Sequence, residues 1–369
     1  MESNTKAFFE LLRAGLWADV ESTDFVNLGF TEPVDWNKIY QLAEEQSVVG
    51  LVLAGIERLK NTNLHLGIDQ EMLLQMIGEV QMLEQQNKAM NEFIAKLVGD
   101  MREADIYTLL VKGQGVAQCY EKPLWRSCGD VDFLLSSDNY NKAKAFLTPM
   151  ASNVLEDAKM MHIEMTIDQW MVELHGSMKT ELFWSINKGI HAVQKDLFYG
   201  GNVRSWVNGG TTVFLPSWDN DVILVFTHIL QHFFIEGIGL KQACDWCRLL
   251  YRYRKELDVQ LLEQRVNKMG LLRVWKAFAA MAVDYLGMPK EAMPFYDSRF
   301  VNKGERVLKR ILKSGNMGYN NDLSYRDNYS GFSYRIVALW RRFADFVSLA
   351  PAFSVDAPRF FLHYVFRKI

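Results

Sequence analysis

The residue types best suited to chemistry in this chain sit at Gly129-Asp130-Val131-Asp132. The apolar run Val131, Phe133, Leu134 and Leu135 reads as a strand, and a strand places residues i and i+2 on one face. Asp130 and Asp132 then project side by side, about 6–7 Å apart at Cα from the strand rise. Two ionised carboxylates that close repel each other. A cation between them relieves the repulsion, and an all-oxygen pair best suits a hard divalent ion, Mg²⁺ above all. An Asp-x-Asp at a strand end also occurs as a plain solvated edge. Here both faces of the strand are apolar, which marks it as internal and its carboxylates as in need of a partner.

Two flanking stretches carry compatible groups. Tyr107 to Val111 is a short apolar run that ends in Lys112-Gly113-Gln114-Gly115. A strand, a glycine turn and a helix start offer backbone N–H groups and a helix dipole to a phosphate. Lys112 precedes the glycine, so this is not a Walker loop. Downstream, Trp170 to Leu174 reads as a strand carrying Glu173 among apolar neighbours, followed by His175. With the aspartate pair present, Glu173 is the third carboxylate that a pair of metal ions would use.

The elements that must position these groups follow from periodicity. Residues 5–17, the stretch opened by Asp35-Trp36-Asn37, and Val48 to Leu59 read as helices. A long helix follows, with Met76, Val80, Leu83, Met90, Ile94, Leu97 and Met101 as a core stripe. Asp105 to Val111 is the first strand, and a helix is expected over about 138–149. Residues 158–167 alternate as a strand and turn through Asp168-Gln169 into Trp170 to Leu174. Residues 177–215 read as irregular, apart from a hairpin candidate at Asn208-Gly209-Gly210. From Ser217 the chain turns helical. His228 and His232 stand one turn apart and read as lining a helix interface. Expected units are an N-terminal helical lobe (1–75), a core (76–215) and a C-terminal helical lobe (216–369), an α+β chain overall.

Composition narrows the classes. Hydrophobic residues make up 49% of 369, enough for sizeable cores. Four cysteines are too few for a disulfide scaffold, and Cys244-Asp-Trp-Cys247 reads as helix packing. No apolar run is long enough to span a membrane and no leader pattern opens the chain, so the expected compartment is cytoplasmic. From Asp297 onward, 13 Lys/Arg face 6 Asp/Glu, a basic end on a chain of net charge −3. No dedicated nucleic-acid motif accompanies it, and nucleic acid is not the expected partner.

Leu110-Val-Lys112-Gly113, then Arg126-x-x-Gly129-Asp130-Val-Asp132-Phe-Leu-Leu, then Val172-Glu173-Leu-His175 resemble the nucleotidyltransferase superfamily that includes DNA polymerase beta and kanamycin nucleotidyltransferase. More narrowly, the three blocks resemble a largely uncharacterised bacterial nucleotidyltransferase family, and the likeness extends over most of residues 5–255. The resemblance implies a small mixed sheet with helices on one face, between helical flanks. It implies Mg²⁺ on Asp130, Asp132 and Glu173, with Glu173 nearest the acceptor hydroxyl as its base. Nucleotide contacts would come from Lys112, Gly113, Gln114, Arg126 and Gly129. The donor would be a nucleoside triphosphate such as ATP, and the acceptor a hydroxyl of a small molecule or a protein. The chain departs from the superfamily in three places: Gln114-Gly115 follows Gly113 where Ser is usual, the gap to Asp130 is long, and the third carboxylate is Glu. The alternative is a non-catalytic module that keeps the fold and binds a nucleotide or a partner.

Overall fold

The computed structural model describes residues 3–17, 34–60, 66–321, 331–350, 353 and 356–368. Three helices open the chain: α1 (Ser3–Leu16), α2 (Trp36–Glu45) and α3 (Val49–Lys60). Asp35 caps α2 by accepting from the amides of Asn37 and Lys38, and Asp69 caps α4 (Gln70–Glu103) by accepting from Met72 N at 2.7 Å. Such caps satisfy amides that have no partner within the helix.

The sheet comprises β1 (Leu109–Val111), β2 (Asp130–Leu134), β3 (Ala151–Asp157), β4 (His162–Ile167) and β5 (Trp170–His175), in the order β1-β2-β5-β4-β3. β2 and β5 run parallel; the other pairs are antiparallel. Between β1 and β2 lies the five-residue α5 (Gly113–Ala117), and α6 (Ser137–Leu147) follows β2. β6 (Val203–Asn208) and β7 (Thr211–Pro216) form a separate hairpin, with Gly209 and Gly210 both at positive φ in its turn.

Both faces of the sheet are covered, which corrects the expectation of helices on one face. Leu109, Val111 and Leu134 belong to one apolar cluster; Leu110, Val131, Phe133 and Leu135 belong to another. The alternation follows the strand period, and α4 serves both clusters. Its first half contributes Met72, Met76 and Val80 to one; its second half contributes Met90, Ile94, Leu97 and Met101 to the other. β2 is buried from Val131 to Leu134, whereas β5 alternates, with Met171, Glu173 and His175 on its more open face.

Residues 177–215 are not irregular. α7 (Trp184–Gly200) occupies their middle, burying Ile186, Ile190, Val193 and Leu197. That spacing of four, three and four is helical, but Gly189 and the polar residues between dilute it. Gly189 is there for close approach: a Cβ at this position would meet Met269 Cε at 2.2 Å. β3 was likewise absent from the periodicity, because this edge strand is exposed along nearly its whole length.

The rest of the described chain is helical: α8 (Trp218–Ile235), α9 (Leu240–Arg252), α10 (Val259–Met269), α11 (Leu272–Asp284), α12 (Val301–Ser314), and two terminal helices, Gly331–Leu349 and Asp356–Lys368. None of the described helices is long and apolar enough to cross a membrane. The N-terminal helices pack into the same apolar cluster as α8, α9 and α11. Trp17 Nε1 donates to Leu286 O at 2.6 Å, and Arg248 Nη1 to Leu16 O at 2.9 Å. All four cysteines are free and buried, Cys244 and Cys247 within α9 as packing residues.

Candidate active site

The sheet meets the C-terminal helices at a cleft of about 840 Å³. Its floor is one face of three adjacent strands. Asp130 and Asp132 share the pleat of β2, and Asp132 is the register partner of Glu173 on β5. Glu173 in turn stands opposite Glu164 on β4, and His175 opposite His162. Period two and register alone thus set four carboxylates, Glu164 among them, on one surface, with two imidazoles beside them. Asp130, Asp132, Glu173, His162 and His175 all line the cleft.

Asp132 is the most enclosed member, with 2% of its surface exposed. Lys112 Nζ lies 2.6 Å from its Oδ1, and His175 Nε2 lies 2.9 Å from the same oxygen. His175 Nε2 also stands 3.2 Å from Glu173 Oε2, and His162 Nε2 is at 3.2 Å from that oxygen too. Lys112 reaches Asp132 from an unusual backbone. Its φ of 56° and ψ of −145° fall close to a region that is nearly glycine-only, and Gly113 follows with φ of 38°. A lysine held there costs of order 1–3 kcal/mol, and such strain concentrates at functional sites. Gly113 also sits close to β2: a Cβ on it would lie 3.3 Å from Cys128 Sγ and 3.5 Å from Asp130 O.

The electrostatics follow the crowding. Repulsion from Asp132, reinforced by burial, raises the Asp130 carboxyl above its ordinary value, despite the opposing charges of Lys112 and Lys241. Burial works against the Lys112 ammonium, but Asp132, Glu173 and Asp130 together hold its proton more tightly than usual. Burial also works against charge on Glu173, yet the hydrogen bonds to His162 and His175 outweigh it and keep this carboxyl well below its usual range. His175 shows the converse: burial lowers it, and Asp132 and Glu173 raise it further than burial lowers it. The repulsion that raises Asp130 is of the kind that a nearby cation relieves. Asp130, Asp132 and Glu173 offer oxygen donors only, but among the described residues the ligand atoms close enough to share one ion are those of His162, Glu173 and His175.

The remaining predicted residues divide. Gly129 lines the cleft at the entry to β2. Arg126 reaches its edge, but the guanidinium is engaged with Asp245 through Nε to Oδ1 and Nη2 to Oδ2, each at 2.7 Å. Gln114 points the other way, into the core, where Nε2 donates to Asn87 Oδ1 at 2.7 Å. His228 and His232, expected at a helix interface, both line the cleft. Their rings lie 4.5 Å apart, and burial followed by the charge of Lys112 pushes His228 well below the ordinary histidine range.

Periodicity reading passed over His162 and Lys241. His162 could have been found. The turn at Asp168-Gln169 pairs Ile167 with Trp170, and counting outward from it sets His162 opposite His175. Lys241 leaves no such trace. It enters from the first turn of α9, and burial followed by the charge of Arg126 lowers its ammonium. Among the described residues that ammonium has no hydrogen bond or ion pair, and it lines the cleft near Asp130.

No curated protein matches this chain. A solved structure, described as an antigenic nucleotidyltransferase-like protein from Paracoccidioides brasiliensis, is similar over 57% of this chain and 96% of that one, at 13% identity and a TM-score of 0.33, too slight a likeness to argue from. A family model described as uncharacterised nucleotidyltransferase matches residues 32–287, well over half of the sequence, and the chain belongs to that family.

Proposed function

We propose that the protein transfers a nucleoside monophosphate from a nucleoside triphosphate to a hydroxyl of a small molecule or a protein side chain. The observation that carries this reading is the placement of Asp130, Asp132 and Glu173 on one face of two parallel strands, at the floor of a cleft large enough for a nucleotide. Mg²⁺ held by these three carboxylates would supply charge neutralisation at the reacting phosphate. In the transfer the acceptor oxygen bonds to the α-phosphorus, the bond from that phosphorus to the bridging oxygen breaks, and pyrophosphate leaves with the electron pair.

The chain's own residues have separable parts in this. Lys112 and Lys241 bring two ammonium groups to a cleft otherwise rich in acids, where they would screen a triphosphate. Gly113 keeps the strained turn close to β2, so that Lys112 stays directed at Asp132. Glu173 is the carboxylate that would take the acceptor's proton, but its two imidazole partners hold it ionised and weakly basic. The proton therefore has to pass on to a neighbour or to solvent. Arg126 and Gln114 are committed to Asp245 and Asn87, which leaves the triphosphate to the lysines and the glycine turn.

One observation favours a second reading. Lys112 and His175 already neutralise Asp132 from within the protein. A module that binds a nucleotide or partner without turnover would need nothing more. Labelled nucleoside triphosphates with Mg²⁺ separate the two readings. Metal-dependent pyrophosphate release that disappears in Asp130→Ala and Asp132→Ala supports transfer; nucleotide binding that needs no metal and yields no pyrophosphate supports the module.

A further inference from the structure

The cleft floor carries a second set of ligand atoms beside the aspartate pair. His162 Nε2 and His175 Nε2 each lie 3.2 Å from Glu173 Oε2, and the three atoms lie within 4.8 Å of one another. The two rings stack with centroids 4.8 Å apart and planes 21° from parallel, so both edges turn toward the same carboxylate. With bonds of about 2.0–2.1 Å, neighbouring ligands of one tetrahedral ion stand about 3.3 Å apart. Two of the three edges therefore already have the separation that one ion would impose. Asp132 Oδ1, at 2.9 Å from His175 Nε2, adjoins the set as a further oxygen.

The donor types select the metal. Two imidazoles and a carboxylate suit borderline ions such as Zn²⁺, Mn²⁺, Fe²⁺ and Co²⁺, whereas Mg²⁺ prefers oxygen alone. The scaffold is suited to holding them: all three residues are on β4 and β5, which pair across a two-residue turn. We infer that His162, His175 and Glu173 form a binding position for a divalent transition metal, distinct from the all-oxygen position offered by Asp130 and Asp132. The inference depends on the proposed transfer only where it shares Glu173. It makes the centre chemically asymmetric, one position built for Mg²⁺ and its neighbour for a nitrogen-ligated ion. The competing account is that the two imidazoles only hydrogen-bond to Glu173.

The test uses the full chain, stripped with a chelator and titrated with Co²⁺ alone. Wild type is expected to take up one Co²⁺ with a visible ligand-field band that Zn²⁺ abolishes and millimolar Mg²⁺ does not. His162→Gln is expected to weaken Co²⁺ binding by more than about 100-fold, beyond what loss of an outer-sphere partner costs. His162 is partly exposed, so this variant should keep the wild-type denaturation midpoint, which is measured alongside. Asp130→Asn is expected to keep the band. Absence of a band in wild type, or unchanged Co²⁺ affinity in His162→Gln, overturns the inference and leaves the imidazoles as hydrogen-bond partners only. Pyrophosphate release with Mg²⁺ in a protein that shows no Co²⁺ band removes the second metal and spares the transferase. A Co²⁺ band without any turnover does the reverse.

Discussion

Two acid-bearing regions adjoin the same cleft, and they are built on opposite terms. At the first, Asp245 receives both nitrogens of Arg126 and the hydroxyl of Tyr120, whose OH lies 2.8 Å from Oδ1. Asn87 then donates to Arg126 O at 2.9 Å, closing the neighbourhood. The charges cancel, the geometry is bidentate, and both partners are buried. At the second, Asp130, Asp132, Glu173 and Glu164 share one sheet face. Lys112 and His175 pair with Asp132, and both imidazoles, His162 and His175, with Glu173. That leaves Asp130 without an ion pair among the described residues, and the repulsion of Asp132 raises its carboxyl. A matched buried pair stabilises a fold against its own disruption; an unmatched cluster open to a cleft has charge left for a ligand.

Breaking the matched pair should have the largest effect. Arg126→Met leaves Asp245 buried with only a tyrosine, and should cost about 3–5 kcal/mol in urea denaturation. Adding Asp245→Leu should recover much of that loss, since an apolar pair replaces an ionic one. In the unmatched cluster the signs separate. Asp130→Asn should cut pyrophosphate release by roughly 10²–10³-fold, while relief of repulsion leaves stability unchanged or raises it by about 0.5–1 kcal/mol. Parallel loss of both activity and stability would mean the cluster is structural after all.

Gln114→Leu sharpens the same contrast. It should destabilise by about 1–3 kcal/mol, because Asn87 Oδ1 loses its donor, and should leave the Michaelis constant for the nucleotide unmoved. A clear rise in that constant would return Gln114 to the triphosphate.

The smallest effect is on pH. Burial first, and then the charge of Asp245, holds the Tyr120 hydroxyl well above its ordinary value of 10.0. The folded chain therefore keeps this proton at pH values where the unfolded chain has lost it, and stability falls as pH rises above about 10. The fall should be shallower in Tyr120→Phe, as read from denaturation midpoints at successive pH values.

Which residues belong to which region could be read only in part from the chain. Asp130 and Asp132 are two apart in an apolar run, so their common face followed from the strand period. Glu173 was a candidate only as a charge among apolar neighbours; nothing local says that its strand lies parallel to β2. Arg126 and Gln114 stand in the same blocks as the aspartates, and along the sequence they look equally suited to a phosphate. Their partners, Asp245 and Asn87, lie 119 and 27 residues away. Spacing carries no information about such pairings.

The amino-acid order by itself determined the short-range facts: two strands abutting glycines, a carboxylate pair on one pleat, a long helix with a methionine stripe, and a hairpin turn at Asp168-Gln169. Those depend on backbone periods of two and 3.6, which act within one element. Only the tertiary structure decided that β2 lies beside β5, that Arg126 faces inward to α9 while Lys241 faces the cleft, and that both sides of the sheet are covered. Those outcomes depend on burial and charge pairing between distant segments, where the cost of an unpaired buried ion selects each partner.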